Sequence, residues 1–291
     1  MLATPLRRAL ALLITLGLTL ALSACQDTGA TRADKTPTQP TSAPADKPTS
    51  APAEKPAAGS KETPPATDAA SAFDHAAWDA LLKKYVTEEG PVRYKDWKAS
   101  ADDMKALKAY TASIASADLS KLSKKQQLAF YINAYNAYTI LAVLERYPIE
   151  SVMKVDGFFK KINHQVAGEQ MTLDTLENTK IREGFGEARI HFVVNCASAS
   201  CPKLRRDAIT PANMEAEMEA AAREYIQKET RVEGGAVSTS EIFKWFKGDF
   251  DKAAGSVGEF LAKRLDGEAA TLAKAGKIKY HPYGWDLNEA R

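Results

Sequence analysis

Aromatic side chains are missing from the first 72 residues of this 291-residue sequence, because every Phe, Trp and Tyr lies at Phe73 or later. The same region is rich in proline, with eight of the 14 prolines between Pro37 and Pro65. Such a segment has too little apolar surface to offset the conformational entropy lost on folding. The sequence therefore predicts one globular domain over residues 73–291, large enough to fold without disulfides or structural metals.

An excess of charge of either sign is also lacking, since 39 Lys and Arg face 37 Asp and Glu, a net charge of +2. There is no basic run interleaved with aromatics, so we expect no nucleic-acid partner. Phosphate-loop, dinucleotide-binding, Gly-x-Ser-x-Gly and His-Glu-x-x-His motifs are absent as well, and no cofactor is predicted.

Residues 1–24 have the pattern of an export signal: two arginines precede an apolar stretch over residues 9–22 that is short for a membrane span. The stretch ends in residues 22–25 (LSAC), which resemble the bacterial lipobox. The resemblance implies cleavage before Cys25 and lipidation of that cysteine, giving a membrane-anchored lipoprotein of the cell envelope. Gln26 follows it where an Asp would favour the inner membrane, so the outer membrane, facing the periplasm, is expected. The alternatives are a plain secretory signal or an uncleaved anchor.

Residues 25–72 are predicted to be a disordered tether. Residues 41–48 (TSAPADKP) are followed by a near-copy in residues 49–56 (TSAPAEKP). Low-complexity sequence of this kind favours extended polyproline-like conformations. We interpret it as a spacer between the lipid and the domain.

Apolar spacing in the remaining sequence mostly has the helical period. It predicts helices over residues 73–85, 102–115, 124–146, 172–183, 211–228, 240–250 and 256–265. Strand signals are fewer: a continuous apolar run at 189–196, a hairpin at 166–171 and a short strand at 277–280. The predicted fold class is α+β, a helix-rich single domain with a small, mainly antiparallel sheet.

Cys196 is the main candidate for chemistry. It follows the apolar run directly and precedes four small residues, which would expose the sulfur and let backbone N–H groups face an oxyanion. A thiol needs a base near neutral pH, and His191 is the favoured one among the four histidines. In a regular strand, however, the side chains of these two residues would point to opposite faces.

Cys201 adds two other interpretations. In an exported protein, Cys196 and Cys201 suggest a disulfide, although one that closes so short a loop adds only modest stability. His191 together with both cysteines offers three zinc ligands, but the spacing matches no common zinc signature and no fourth ligand is evident. We therefore predict no metal site.

Asn133 and Asn136 interrupt an apolar helix and share one face of it. Buried amides must find hydrogen-bond partners. Either they tie the helix to a neighbouring strand or loop, or one of them orients a histidine or binds a substrate carbonyl.

Five blocks, in this order, resemble the domain-of-unknown-function 547 family of uncharacterised bacterial envelope and plant proteins. They are residues 128–137 (LAFYINAYNA), 173–177 (LDTLE), 189–202 (RIHFVVNCASASCP), 240–250 (SEIFKWFKGDF) and 283–288 (YGWDLN). The resemblance covers roughly residues 75–290.

The resemblance gives weight to particular positions. His191 and Cys196 match the family's histidine and first cysteine, and Glu177 matches its acidic position. The paired asparagines of the family match Asn133 and Asn136. Cys201 occupies a position that is often Ser in plant members, which counts against an essential disulfide and favours Cys196 as the special thiol.

Two residues depart from the family pattern. Tyr131 stands where the first block usually has Trp, and Gly284 stands where the closing block usually has Asp. The role of the family's Asp at that position is therefore not carried over to Gly284.

Three hypotheses for function follow. The first is a thiol-dependent hydrolase or acyl transferase acting on peptide or amide bonds, loosely papain- or transglutaminase-like, with Cys196 as nucleophile and His191 as base or orienter. The second is a non-enzymatic envelope lipoprotein that binds a peptide or protein partner or acts as a scaffold. The third is a thiol redox or metal site.

Overall fold

The computed structural model describes residues 72–290. The predicted export signal, the lipidated Cys25 and nearly all of the predicted tether lie outside the described residues. Between residues 72 and 290, no helix is both long enough and apolar enough to cross a lipid bilayer.

Helices make up most of the described chain, and two small sheets complete it, so the predicted α+β, helix-rich fold is confirmed. The helices are α1 Ala76–Tyr85, α2 Tyr94–Ala99, α3 Ala101–Ala115, α4 Lys124–Arg146, α5 Leu173–Thr175, α6 Met214–Glu229, α7 Ile242–Trp245, α8 Lys247–Ala254, α9 Val257–Ala262 and α10 Gly267–Lys274. The strands are β1 Asn163–Val166, β2 Glu169–Thr172, β3 Arg231–Glu233, β4 Ala236–Ser240 and β5 Ile278–His281.

Both sheets are small, and antiparallel pairing predominates. Strands β1 and β2 form a hairpin, as predicted for residues 166–171. The second sheet has the order β3-β4-β5, in which β3 and β4 are antiparallel and β4 and β5 are parallel. Gly234 and Gly235 turn the chain between β3 and β4, and both have the positive φ that glycine adopts at little cost.

Helix α4 is the centre of the domain. The Ser123 side chain accepts from the Gln126 N–H while the Gln126 side chain accepts from the Ser123 N–H, which fixes where the helix begins. Sixteen of its 23 residues are buried. A helix that is apolar on nearly all sides must be covered by other elements. Helix α3 and the segment after α5 pack against it.

The segment after α5 is a π-helix, Leu176–Glu183. Thr172 caps α5. The π-helix ends at Glu183, within the range 172–183 predicted for one helix, but its turns are wider than those of an α-helix. In a π-helix, residues five apart lie on the same face because the hydrogen bonds run from i to i+5. Glu177 and Arg182 therefore point to the same side.

The strand predicted at residues 189–196 was wrong. Ala188–Phe192 is a 3₁₀ helix, and a turn follows it. The segment is buried because α6 and α8 cover it, not because it lies in a sheet. The Asn136 amide takes the place of a neighbouring strand: it donates to the Val193 carbonyl at 2.8 Å and accepts from the Asn195 N–H at 2.8 Å.

The helix predicted at residues 240–250 is also divided. Strand β4 extends to Ser240, and Phe246 separates α7 from α8. The segment is too short for the spacing of its apolar residues to show that a single residue interrupts the helix.

Candidate functional site

A cavity of about 200 Å³ brings together most of the residues singled out in the sequence. Glu177, His191, Cys196 and Cys201 all line it. Its walls are largely aromatic, with contributions from α4, α7, the loops before β1 and after α7, and the C-terminal segment: Tyr135, Phe159, Trp245, Phe246, Tyr283 and Trp285.

A tight turn presents Cys196 to this cavity. The Asn195 side chain accepts from the Ala197 N–H at 2.9 Å, and Ala197 has a φ of 60°. A non-glycine residue in this left-handed region is strained, and such strain tends to occur at functional sites. Asn136 fixes the start of the turn through the backbone of Val193 and Asn195.

The Cys196 sulfur is half-buried and surrounded by hydrogen-bonding groups. It lies 3.0 Å from the Ser198 hydroxyl and 3.3 Å from the Tyr283 hydroxyl. Because Ser198 donates to the Tyr283 oxygen at 2.9 Å, the Tyr283 proton is free to point at the sulfur. The Cys196 N–H donates to the sulfur of Cys201 at 3.1 Å.

These groups stabilise the thiolate of Cys196. A hydrogen bond from the Cys201 thiol, with those from the Ser198 backbone N–H and the Tyr283 hydroxyl, holds the pKa of Cys196 well below its usual value in spite of burial. Burial, and then the neighbouring thiolate, raise the pKa of Cys201. Burial also raises the pKa of Tyr283, which therefore stays protonated and able to donate.

Glu177 supplies an acid in the same cavity. Burial raises the pKa of this carboxyl from 4.5 to about 7, against the opposing effect of the Tyr135 hydroxyl, and the charge on Cys196 raises it further. About half of the Glu177 side chains are thus protonated near neutral pH, which is the property a proton donor needs.

His191 is held by Asp249 and not by Cys196. Its Nε2 lies 2.7 Å from Asp249 Oδ2, which also accepts from Arg182 Nε at 2.8 Å. Since a carboxylate only accepts, Nε2 carries the proton. Burial lowers the pKa of His191 although Asp249 opposes this, and Phe246 stacks on the ring at 3.9 Å.

His191 and Cys196 therefore line the same cavity, but they do not form the predicted pair. In the part of the chain that the structure describes, no hydrogen bond joins the two side chains. The turn does not bring the imidazole to the sulfur because the ring is fixed between Asp249 and Phe246. The other histidines, at 75, 164 and 281, do not line the cavity.

The two asparagines serve the backbone. Asn133 donates to the carbonyls of Ala129 and Ile209, at 2.9 and 2.7 Å, and accepts from the Ile209 N–H at 3.1 Å. Asn136 holds the turn before Cys196. Neither lines the cavity, so the structure gives them positioning roles and does not support the prediction that they act on a substrate.

Both cysteines of the domain are free thiols. The structure thus has no bond between Cys196 and Cys201, and its small loop holds them close without one. Across residues 72–290, no cluster of three or more His, Cys, Asp or Glu side chains is arranged to bind a metal ion.

Sequence reasoning missed the groups that come from the C-terminal third of the chain. Tyr283 and Asp249 lie 87 and 58 residues from the side chains they contact, and no local pattern links them. The closing segment reaches Cys196 because it pairs with the turn: the Ala199 N–H donates to the Asp286 carbonyl at 2.7 Å. Asp249 and Tyr283 lie in the family-like blocks at 240–250 and 283–288, but these blocks did not indicate which side chains the two residues would contact.

A family model described as "Protein of unknown function, DUF547" matches residues 119–226. These residues belong to the DUF547 family. The DUF547 segment contains Glu177, His191, Cys196 and Cys201, whereas Asp249 and Tyr283 lie beyond it. No curated protein and no solved structure gives a significant match to the chain.

Proposed function

We propose that the domain is a thiol-dependent hydrolase or acyl transferase acting on peptide or amide bonds, with Cys196 as the nucleophile. The observation that carries the proposal is the cavity in which the hydrogen-bonded sulfur of Cys196 and the protonatable carboxyl of Glu177 face the same space. A thiolate and an acid in one cavity are the two groups that cleavage of an amide requires.

In the proposed first step, the Cys196 thiolate attacks the substrate carbonyl and forms a carbon–sulfur bond. The Tyr283 hydroxyl, 3.3 Å from the sulfur, donates to the oxygen that becomes negative. Glu177 gives its proton to the nitrogen as the carbon–nitrogen bond breaks, so an amine leaves and a thioester remains. This assigns to Glu177 the acid–base role that the sequence favoured for His191.

In the second step, the Glu177 carboxylate takes a proton from water or from an acceptor amine. The activated oxygen or nitrogen attacks the thioester carbonyl, and Cys196 leaves as a thiolate, which returns both groups to their initial state. Asp249, anchored by Arg182, keeps the His191 ring in the wall of the cavity.

The walls favour a substrate with a large apolar side chain or acyl group. Trp245 is 44% exposed and packs near Tyr283 and Trp285, with ring centroids 5.0 and 5.9 Å away. An aromatic surface at the mouth of a cavity of about 200 Å³ suits one such group beside the sulfur.

The test is transfer of an acyl group from apolar p-nitrophenyl esters and from a peptide amide library to hydroxylamine. The Cys196→Ser variant should lose this activity by at least 100-fold, while Ala199→Ser, which adds a hydroxyl to the same turn outside the cavity, should keep it. Equal activity of Cys196→Ser and the unaltered chain would favour a binding or scaffold protein with a peptide or envelope protein partner.

We also propose that Cys25 carries a lipid that attaches the protein to the outer membrane, facing the periplasm. The sequence of residues 22–25 and the apolar stretch before it support this. Cys25→Ser should shift the protein from the membrane to the soluble fraction, and the unaltered chain should yield an acylated N-terminal Cys25 peptide by mass spectrometry. Membrane attachment of Cys25→Ser equal to that of the unaltered chain would refute the anchor.

A further inference from the structure

Cys201 has no part in the proposed acyl-transfer steps, yet it lies in the wall of the same cavity. Its side chain is 9% exposed and also lines a second cavity of about 500 Å³, with Lys203 and Tyr225 among its other residues. The Cys201 sulfur accepts from the Cys196 N–H at 3.1 Å, so the turn already places this sulfur against the neighbouring cysteine. Both thiols are free.

We propose that Cys196 and Cys201 are a reversible dithiol–disulfide pair, in which Cys196 reacts with a small-molecule disulfide and Cys201 resolves the product. The proposal does not depend on the acyl-transfer activity. It concerns the chemistry of the two sulfurs alone.

The reaction is two thiol–disulfide exchanges. The Cys196 thiolate attacks one sulfur of the small disulfide, forms a mixed disulfide and releases one small thiolate. Cys201 then loses its proton to the released thiolate and attacks the Cys196 sulfur, releasing the second small thiolate. The two cysteines lose two electrons and the one proton of Cys201, and the small disulfide is reduced to one thiol and one thiolate.

The arrangement favours this order of events. Cys196 is the more exposed of the two cysteines and has the stabilised thiolate, so it reacts first. One cause of the raised pKa of Cys201 is the charge on Cys196. The mixed disulfide removes that charge, which makes the Cys201 thiol easier to ionise at the moment when it must attack.

The loop geometry allows the second step. Four small residues separate the two cysteines: Ala197, Ser198, Ala199 and Ser200. The left-handed Ala197 already folds the chain back on itself. Closing this loop requires little further ordering, because the fold already holds its two ends together. A disulfide here would remove the nucleophile and stop acyl transfer until a thiol reduced it.

The experiment treats the full chain with glutathione disulfide and reads the products by intact mass and peptide mapping. The unaltered chain should end as an intramolecular disulfide, two hydrogens lighter and without a glutathione adduct. Cys201→Ser should keep a stable glutathione adduct on Cys196, and Cys196→Ser should react at least tenfold more slowly.

Each contrary result overturns the pair. An unaltered chain that retains the adduct would show that Cys201 does not resolve it. A chain that does not react would show that Cys196 is not accessible to a small disulfide. If Cys201 of Cys196→Ser forms a glutathione adduct as fast as Cys196 does in the unaltered chain, Cys201 and not Cys196 would be the cysteine that reacts first. Because the readout is mass, failure here leaves the acyl-transfer proposal standing, and loss of acyl transfer leaves this one standing.

Discussion

At the scale of single residues, the ionisation of Cys196 depends on a hydroxyl from the far end of the chain. Tyr283 lies 3.3 Å from the sulfur, and its own raised pKa keeps it a donor. A hydrogen bond to a charged group contributes roughly 1.5–3 kcal/mol, and 1.4 kcal/mol corresponds to about one pKa unit. The hydroxyl is therefore one of the groups that stabilise this thiolate, after Cys201, whose hydrogen bond lowers the pKa of Cys196 more.

Replacing Tyr283 with Phe should raise the pKa of Cys196 by about one unit, because the thiolate loses a donor and the thiol does not. The rate of alkylation by iodoacetamide, followed from pH 5 to 10, should show its midpoint at correspondingly higher pH. Tyr280→Phe, on β5 and outside the cavity, is the matched control and should leave the midpoint unchanged. An unchanged midpoint in Tyr283→Phe would remove Tyr283 from the set of groups that stabilise the thiolate.

Glu177 should make the domain less stable as the pH rises from 4.5 to about 7. Its folded-state pKa of about 7 lies above the ordinary 4.5, so the stability it contributes is complete below 4.5 and is lost as the pH rises to 7. The decrease for one such group is on the order of 3 kcal/mol. Urea unfolding at several pH values should show this decrease, and Glu177→Gln should lack it.

Glu183→Gln serves as the control, since Glu183 is an exposed carboxyl of the same π-helix. It should retain the dependence of the unfolding free energy on pH. The acid role also predicts that the rate of acyl transfer from peptide amides falls above pH 7, where Glu177 has lost its proton. A rate that keeps rising to pH 9 would be inconsistent with that role.

At the scale of elements, the sequence predicts helices better than the segment that carries the nucleophile. The capping residues Ser123 and Thr172 and the apolar spacing predict where α4 and α5 begin, because these are local signals. The segment at 189–196 was predicted to be a strand from its short apolar run. Such a run indicates that the residues are buried, but it does not distinguish a strand from a helix. Its backbone partner is a side chain, that of Asn136, which no strand pattern can indicate.

The residues of the site were likewise predictable only in part. The sequence predicted Cys196 with His191 and matched Glu177 to an acidic family position, and all three side chains line one cavity. The π-helical period that turns Glu177 and Arg182 to one side has no simple sequence signature. The contact between Asp249 and His191 likewise depends on how α8 packs over the 3₁₀ helix.

The two asparagines of α4 provide a matched pair of variants. Asn136→Ala and Asn133→Ala each leave a buried N–H and a buried carbonyl without partners, which should cost roughly 2–4 kcal/mol of unfolding free energy. Only Asn136 holds the turn before Cys196, so only Asn136→Ala should slow the alkylation of Cys196 at pH 7. Equal alkylation rates in the two variants would show that the turn does not need this anchor.

At the scale of the whole molecule, the closing segment joins distant parts of the domain to the site. Tyr94 donates to the Asn288 side chain at 2.8 Å, and the Leu287 N–H donates to the Glu150 carbonyl at 2.8 Å. Trp285 and Leu287 pack against the core. The last residues of the chain thus support both the fold and the turn at Cys196.

A chain that ends at Pro282 should lose at least about 3 kcal/mol of unfolding free energy, because it exposes core surface and loses these hydrogen bonds. Its Cys196 should also be alkylated more slowly at pH 7, since Tyr283 is gone. A chain that ends at Ala290 is the control and should match the full chain in both measurements. Unaltered stability of the shorter chain would mean that the closing segment is not part of the cooperative unit.

The most direct measurement is the detection of an acyl group on Cys196 itself. The full chain is mixed with an apolar p-nitrophenyl ester, quenched in acid after a few seconds and mapped by peptide mass spectrometry. The predicted result is a thioester on Cys196 that is missing from Cys196→Ser and persists longer in Glu177→Gln, where the base of the second step is lost. An unacylated Cys196, or acylation of Cys196→Ser to the same extent as the unaltered chain, would contradict a thiol-dependent acyl-transfer site.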